Sequence, residues 1–161
     1  HFSSKIDERN LVSRYFKCAK KFKSKNIIRI TSDCPFINPN IIKKMIFFYK
    51  KKKLLFLTNN KPRYVPHGFD CEIMNIDYLH KSFLNSKSSS DKEHPTQWIY
   101  RNLFNKKTEN IKLFSKNLSK LRLTLDYPED YYFFMKNDEI IKKISINNNY
   151  EKLCKSLFKK I

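Results

Sequence analysis

Apolar positions along the chain change period several times, and each change marks an element. From Asp7 to Lys23, Leu11, Tyr15, Ala19 and Phe22 recur at helical spacing, with Asp7 placed as N-cap, so the segment predicts an amphipathic helix. "NIIRIT" (26–31) is a short β-branched run between polar turn residues, the signature of a buried strand. "NPNIIKKMIFFYK" offers Asn38 as N-cap and Pro39 at the first helical position, with Ile41, Ile42, Met45, Phe48 and Tyr49 on one side. "KLLFLT" (53–58) predicts a second strand. The order α, β, α, β argues for an α/β fold with a mostly parallel sheet flanked by helices.

Beyond residue 58 the pattern loosens. "NNKPRYVPHGFDCEIMN" carries two prolines and the lone glycine, Gly68, before "FDCEIM", where Phe69, Cys71 and Ile73 alternate with Asp70 and Glu72. That alternation predicts a half-exposed strand with Asp70 and Glu72 on one face. A helix is expected from Ile76 to Phe83, a polar loop over "NSKSSSDK", and another helix over "EHPTQWIYRNLF" with Trp98 in the core. "NIKLFS" and "LRLTLD" read as the last strands. "YPEDYYFFMKN" opens a helix with Pro128 in its first turn, and a helical tail follows from about 138. The expectation is one domain over 1–161.

Composition narrows the function classes. The formal charge is +19, yet the cations are overwhelmingly lysine beside abundant Asn and Ile, a profile that A/T-rich codons would give. Without aromatic-basic interleaving or a known module, the charge reads as a solvated face and not as a dedicated nucleic-acid surface. No stretch approaches the roughly 18 uninterrupted apolar residues of a membrane span. Together with four cysteines outside any CxxC pair, this leads us to expect a soluble cytoplasmic protein with reduced thiols. His67 and Cys71 are four apart, but "PHGFDC" will not hold a helical face and zinc is not expected. The first ten residues carry no apolar signal region and no methionine, so an upstream segment is expected.

Two acids stand out by position. Asp33 follows "NIIRIT" and Asp126 ends "LRLTL" just before a helix. If both strands run the same way, the two carboxylates meet at the carboxyl edge of the sheet, where ligands of open α/β sheets bind. Mg²⁺ favours such hard oxygen ligands while bridging to phosphate. The residues alone leave other roles open: Asp126 as N-cap of the next helix, Asp33 as a turn residue before Pro35.

Five ordered blocks, "NLVSRYFKCAKK", "NIIRITSDCPFINPNII", "PHGFDCEIMN", "KEHPTQWIY" and "LRLTLDYPEDYYF", resemble the cytidylyltransferase family of the spore-coat polysaccharide biosynthesis type. That group is related to the enzymes that activate acylneuraminate and 3-deoxy-manno-octulosonate. The resemblance covers about residues 7–136. It implies a nucleotide-diphospho-sugar transferase fold of the glycosyltransferase A type, Rossmann-like, in which a sugar or sugar acid is activated with CTP for polysaccharide synthesis and pyrophosphate is released. Asp33 and Asp126 match the family's catalytic, Mg²⁺-binding acids. Arg29 and Ser32 flank the first of them, and the usual Gly is replaced by Ser32. Asp70 and Glu72 match the segment lining the acceptor-sugar pocket, with Glu93 and His94 at its edge. The family's first strand and its Gly-, Arg- and Lys-bearing nucleotide loop have no counterpart here, so the chain reads as the C-terminal two-thirds of such a domain. By itself it would bind nucleotide poorly, and the open sheet edge calls for upstream residues or a homodimer partner to cover it. The rival expectations are a nucleotide-sugar-dependent glycosyltransferase of the same fold and an inactive truncated relative that binds polyanions.

Overall fold

The computed structural model describes residues 7–105 and 107–159. The expectations for the extreme N-terminus and for the last two residues of the tail lie outside the described residues. In chain order the elements are α1 (Leu11–Lys21), β1 (Asn26–Arg29), α2 (Pro39–Lys51), β2 (Phe56–Thr58), β3 (Glu72–Asn75), α3 (Ile76–Asn85), α4 (Ser89–Glu93), α5 (Gln97–Asn102), β4 (Thr108–Asn110), α6 (Pro128–Lys136), α7 (Asp138–Ile146) and α8 (Tyr150–Phe158). No helix among the described residues is long and apolar enough to cross a membrane.

The strands form one sheet in the order β1-β3-β2-β4. Its register shows that the sheet is mixed. Ile76 N–H donates to Lys25 at one end of β3 while Glu72 pairs with Arg29 at the other, so β3 runs against β1. Asn75 bonds Leu55 and Cys71 bonds Asn59, so β3 runs against β2 as well. Leu55 with Lys107 and Ile111 with Thr58 keep β2 and β4 parallel. The mostly parallel sheet expected from the α, β, α, β order is thus corrected. A parallel return usually runs through a crossover helix, whereas residues 59–71 between β2 and β3 hold no helix and lead into a strand antiparallel to β2.

The chain folds as two compact units. The first comprises the described residues of 1–28, 53–57 and 73–109. Its core is Val12, Phe16 and Ala19 of α1, packed with Phe56, Met74, Tyr78, Leu79 and Ile99. Each fully buried aliphatic or aromatic side chain here removes enough apolar area to stabilise by about 1.5–3 kcal/mol. The buried stripe of α1 is turned from the expected one: Val12, Ser13, Phe16 and Ala19 face in, and Phe22 is 68% exposed. The helix also starts later, with Asn10 rather than Asp7 accepting from Ser13 N–H at 3.1 Å. The expected loop over 85–92 holds α4, because Ser88 caps it by accepting from Asp91 N–H at 3.1 Å. Asp91 is buried and forms a close ion pair with Arg101 of α5. Trp98, expected in the core, is only half-buried.

The second unit comprises 29–52, 58–72 and the described residues of 110–161. Here α2 buries Ile41, Met45 and Tyr49. Asn38 caps α2, accepting from Asn40 N–H at 2.8 Å, and is fully buried. Its amide also donates to the carbonyls of Ile144 at 2.6 Å and Asn147 at 3.0 Å, which ties the end of α7 to the start of α2. A buried amide that satisfies both its donor and its acceptor in this way is a strong positional constraint. Phe114 packs edge-on against Phe69 and at a shallow tilt against Tyr150 of α8. Of the two segments expected as final strands, 110–115 meets the sheet only at its start, where Asn110 ends β4, and is irregular from 111 on, and 121–126 makes a single bridge outside the four strands.

Candidate functional site

β1 ends at Arg29, and the chain then makes a tight turn through Thr31, Ser32, Asp33 and Cys34 before α2 begins. Cys34 N–H bonds the Thr31 carbonyl at 3.2 Å, and the Thr31 hydroxyl lies 3.2 Å from the Cys34 sulfur. Cys34 in turn contacts the Asp33 carboxylate at 3.7 Å. Ser32 is exposed, Asp33 half-buried and Cys34 buried. Burial, moderated by Thr31 and reinforced by the charges of Asp33 and Asp70, pushes the Cys34 thiol up to about 11.

The second arm of the site is the extended segment 121–126. Its backbone is held by His67, whose N–H donates to Leu121 at 2.9 Å and whose carbonyl accepts from Leu123 at 2.8 Å, a parallel bridge centred on Arg122. Gly68 makes the approach possible. It has φ +95°, and a Cβ there would lie 2.4 Å from the Leu123 carbonyl oxygen. Two residues further on, Leu125 N–H donates to the Asp33 carbonyl at 2.9 Å. Asp126 is the next residue, so one backbone hydrogen bond brings together segments 92 positions apart.

Arg122 organises the carboxylates that follow. It forms a close ion pair with Asp126 and bonds Asp130 through Nε at 2.9 Å and Nη2 at 3.0 Å. Asp130 also accepts from the N–H groups of Asp126 at 2.9 Å and Tyr127 at 3.1 Å, capping α6 from within its first turn. The Arg122 hydrogen bonds, aided by these two N–H groups, hold Asp130 well below the usual carboxylate range. Of the roles left open for Asp126, N-cap is not the one adopted: Tyr127 holds that position and Pro128 the first helical one. Asp126 is exposed.

Asp70 and Glu72 do not share a solvent face. Asp70 lies in the turn before β3, with Arg63 Nη1 at 2.7 Å and Gly68 N–H at 3.3 Å. Glu72 is 3% exposed and pairs with Arg29 Nη1 at 2.9 Å. The half-exposed strand expected here is buried on both faces, since Met74 is also inaccessible. The reason is position: β3 lies between β1 and β2, which alternation along one strand cannot reveal. Asn59, buried in the turn after β2, fixes the approach to β3 by donating to Phe69 at 2.7 Å and accepting from Cys71 at 3.0 Å.

Nothing local in the sequence distinguishes Arg63 from other loop residues, and His67 stands out there only by its spacing from Cys71. His67 is half-buried, and burial together with the Arg63 and Arg122 charges, against the pull of Asp70, lowers its pKa below the ordinary 6.5. Arg29, Ser32, Asp33, Asp70, Glu72 and Asp126 thus all belong to the second unit. Glu93 and His94 belong to the first. Glu93 ends α4 and His94 follows it, its N–H bonding Ser90 at 2.9 Å and its carbonyl accepting from Gln97 at 3.0 Å, with both side chains exposed. Among the described residues no group of three or more His, Cys, Asp or Glu side chains is placed to hold a metal ion, and Cys71, once paired with His67 as a spacing, is inaccessible.

A similar fold occurs in a solved structure, that of a cytidylyltransferase from Leptospira borgpetersenii serovar Hardjo-bovis. It matches with a TM-score of 0.73 and 28% sequence identity over 84% of this chain and 66% of that one. The fold is cytidylyltransferase-like. The chain is also similar to an uncharacterized protein of Methanocaldococcus jannaschii, 25% identical over 147 residues, 87% of this chain and 57% of that protein. It therefore spans less than two thirds of each relative's length, 57% of the one and 66% of the other. No protein-family model matches it. What the comparisons support is an α/β, Rossmann-like, nucleotidyltransferase-type fold whose sheet is mixed.

Proposed function

We propose that the chain is part of a cytidylyltransferase that activates a sugar or sugar acid with CTP for surface polysaccharide synthesis, of the spore-coat type. What supports this reading is the Asp33–Leu125 hydrogen bond, which joins the turn carrying Asp33 to the residue before Asp126, in a fold resembling a solved cytidylyltransferase. A hydroxyl of the acceptor, giving up its proton to solvent, attacks the α-phosphorus of CTP in line. The new P–O bond forms as the bond to the bridging oxygen of the β-phosphate breaks, and pyrophosphate leaves with that electron pair.

The donor set suits Mg²⁺, which is held by one or two carboxylates plus substrate phosphates and keeps several waters. Asp33 and Asp126 would hold it, and when bound it would supply positive charge to the triphosphate. The rest falls to the chain. To hold a cation Asp126 would give up its ion pair with Arg122, while Arg122 stays anchored by two bonds to Asp130 and could turn its freed N–H towards phosphate. Asp70 and the Arg29–Glu72 pair orient the acceptor beside the turn that carries Ser32 and Asp33. Glu93 and His94 are assigned the edge of the acceptor pocket, a role that rests on the sequence resemblance alone.

Pyrophosphate release by the full-length protein, with CTP and a panel of sugars and sugar acids, tests the reading. Release of free nucleotide from a finished nucleotide sugar would instead make it a glycosyltransferase.

A further inference from the structure

Thr124 lies inside the site, between Arg122 and Asp126, and no step of the proposed reaction uses it. It is 5% exposed, and its hydroxyl has no hydrogen-bond partner among the described residues. Buried polar groups are nearly always paired, and one left alone carries the full cost of its lost water. The N–H groups of Leu123 and Leu125 reach the carbonyls of His67 and Asp33 at 2.8 and 2.9 Å, so the backbone is extended here and alternate side chains share a face. Arg122, Thr124 and Asp126 are on one face, with the buried Leu121 and Leu123 on the other. The close ion pair of Arg122 with Asp126 joins the residues on either side of Thr124 and closes across it. The side chains of that pair are 40% and 41% exposed, whereas the hydroxyl between them is inaccessible.

We infer that the Thr124 hydroxyl is a phosphate-binding group, held unpaired beneath the Arg122–Asp126 pair and donating to an oxygen of the nucleotide's phosphate chain once that pair opens. The inference rests on the proposed reading of this site as one that takes a nucleotide. Chemistry selects the ligand. With Asp126 turned to a cation, what remains on this face is a guanidinium fixed by Asp130 and a hydroxyl beside it. Both can donate, and a phosphate oxygen can only accept. The guanidinium favours an anionic oxygen over a neutral sugar hydroxyl. A hydroxyl left unpaired in the free protein also gains its whole hydrogen bond on binding, because it gives up no internal partner first. The position therefore weakens the free protein and is relieved when phosphate arrives, the trade of stability for function common at binding sites.

Titration calorimetry of the full-length protein with magnesium pyrophosphate, alongside thermal unfolding without ligand, tests the inference. Thr124→Val keeps the shape of the side chain and removes only the hydroxyl. It is expected to raise the thermal midpoint of the free protein by about 2 °C or more, since an unpaired buried group is lost. It is also expected to weaken pyrophosphate binding by about tenfold. Thr124→Ser, which keeps the hydroxyl, retains most of the affinity. A gain in stability joined to a loss of binding is a combination that damage to the fold cannot imitate. A lower midpoint for Thr124→Val would give the hydroxyl an internal partner and overturn the inference. Unchanged affinity in Thr124→Val, or a wild-type protein that does not bind pyrophosphate, overturns it as well. The proposed reaction fails separately: weaker pyrophosphate binding in Thr124→Val upholds the phosphate contact even where CTP and the panel of sugars yield no product.

Discussion

Asp33 and Leu125 are joined by a 2.9 Å backbone hydrogen bond that neither residue's local sequence announces. It anchors the turn after β1 to the segment after Arg122, and so sets the lead-in to Asp126. Replacing Asp33 or Asp126 by Ala leaves this backbone bond available but removes a carboxylate. In the full-length protein each substitution is expected to lower pyrophosphate release by about 10²-fold or more while leaving the thermal midpoint close to normal. Near-normal rates for both variants would remove these acids from the chemistry.

Gly68 is the second hinge of the same arrangement. Gly68→Ala places a methyl group against the Leu123 carbonyl in a left-handed backbone conformation, and the clash is with main chain that cannot rotate away. The expected loss is about 2 kcal/mol or more of unfolding free energy, read as a lower urea midpoint. A midpoint equal to wild type would show that segment 121–125 does not need the close approach.

Glu151 of α8 gives the stability a defined acid limb. Burial opposes its ionisation, but Lys155 Nζ at 2.7 Å and the Ser115 hydroxyl and N–H at 2.6 and 2.8 Å outweigh it, and the carboxyl falls from its ordinary 4.5 to about 2. A depressed carboxyl stabilises the fold above its unfolded pKa, and that contribution is lost as pH falls from about 4.5 towards 2. Glu151→Gln should therefore lower the urea midpoint at pH 7 and lose most of that effect near the bottom of this window. A deficit independent of pH would assign Glu151 a packing role instead.

The thiols should divide by accessibility. Cys34, Cys71 and Cys154 are buried, and burial foremost raises them to about 11, 12 and 12, whereas Cys18 is half-buried. A disulfide reagent at pH 8 is expected to modify Cys18 first and the other three only on unfolding. Rapid modification of Cys34 in the native protein would mean that the turn holding Asp33 opens readily.

Much of the candidate site was legible as a list and little of it as an arrangement. Asp33 and Asp126 stood out because each follows an apolar run and precedes a helix. Arg29 and Arg122 were legible only as candidate partners for acids or phosphate, since which carboxylate an arginine meets depends on chain returning from 7 residues away for Arg63 and Asp70 to 43 for Arg29 and Glu72. Asp70 and Glu72 looked alike by alternation, yet one is held in a turn and the other lies in a strand enclosed by two neighbours.

By itself the sequence determined the local elements. Asn38 and Pro39 start α2, Pro128 starts α6, and apolar periodicity marks α3 and the tail, because caps and helical faces act within a few residues. Only the tertiary structure decided the direction of β3, the rotation of α1 that exposes Phe22 and the meeting of Asp33 with residue 125. Each of these is fixed by hydrogen bonds and packing between distant segments, and a period read along one segment carries no record of what lies across from it.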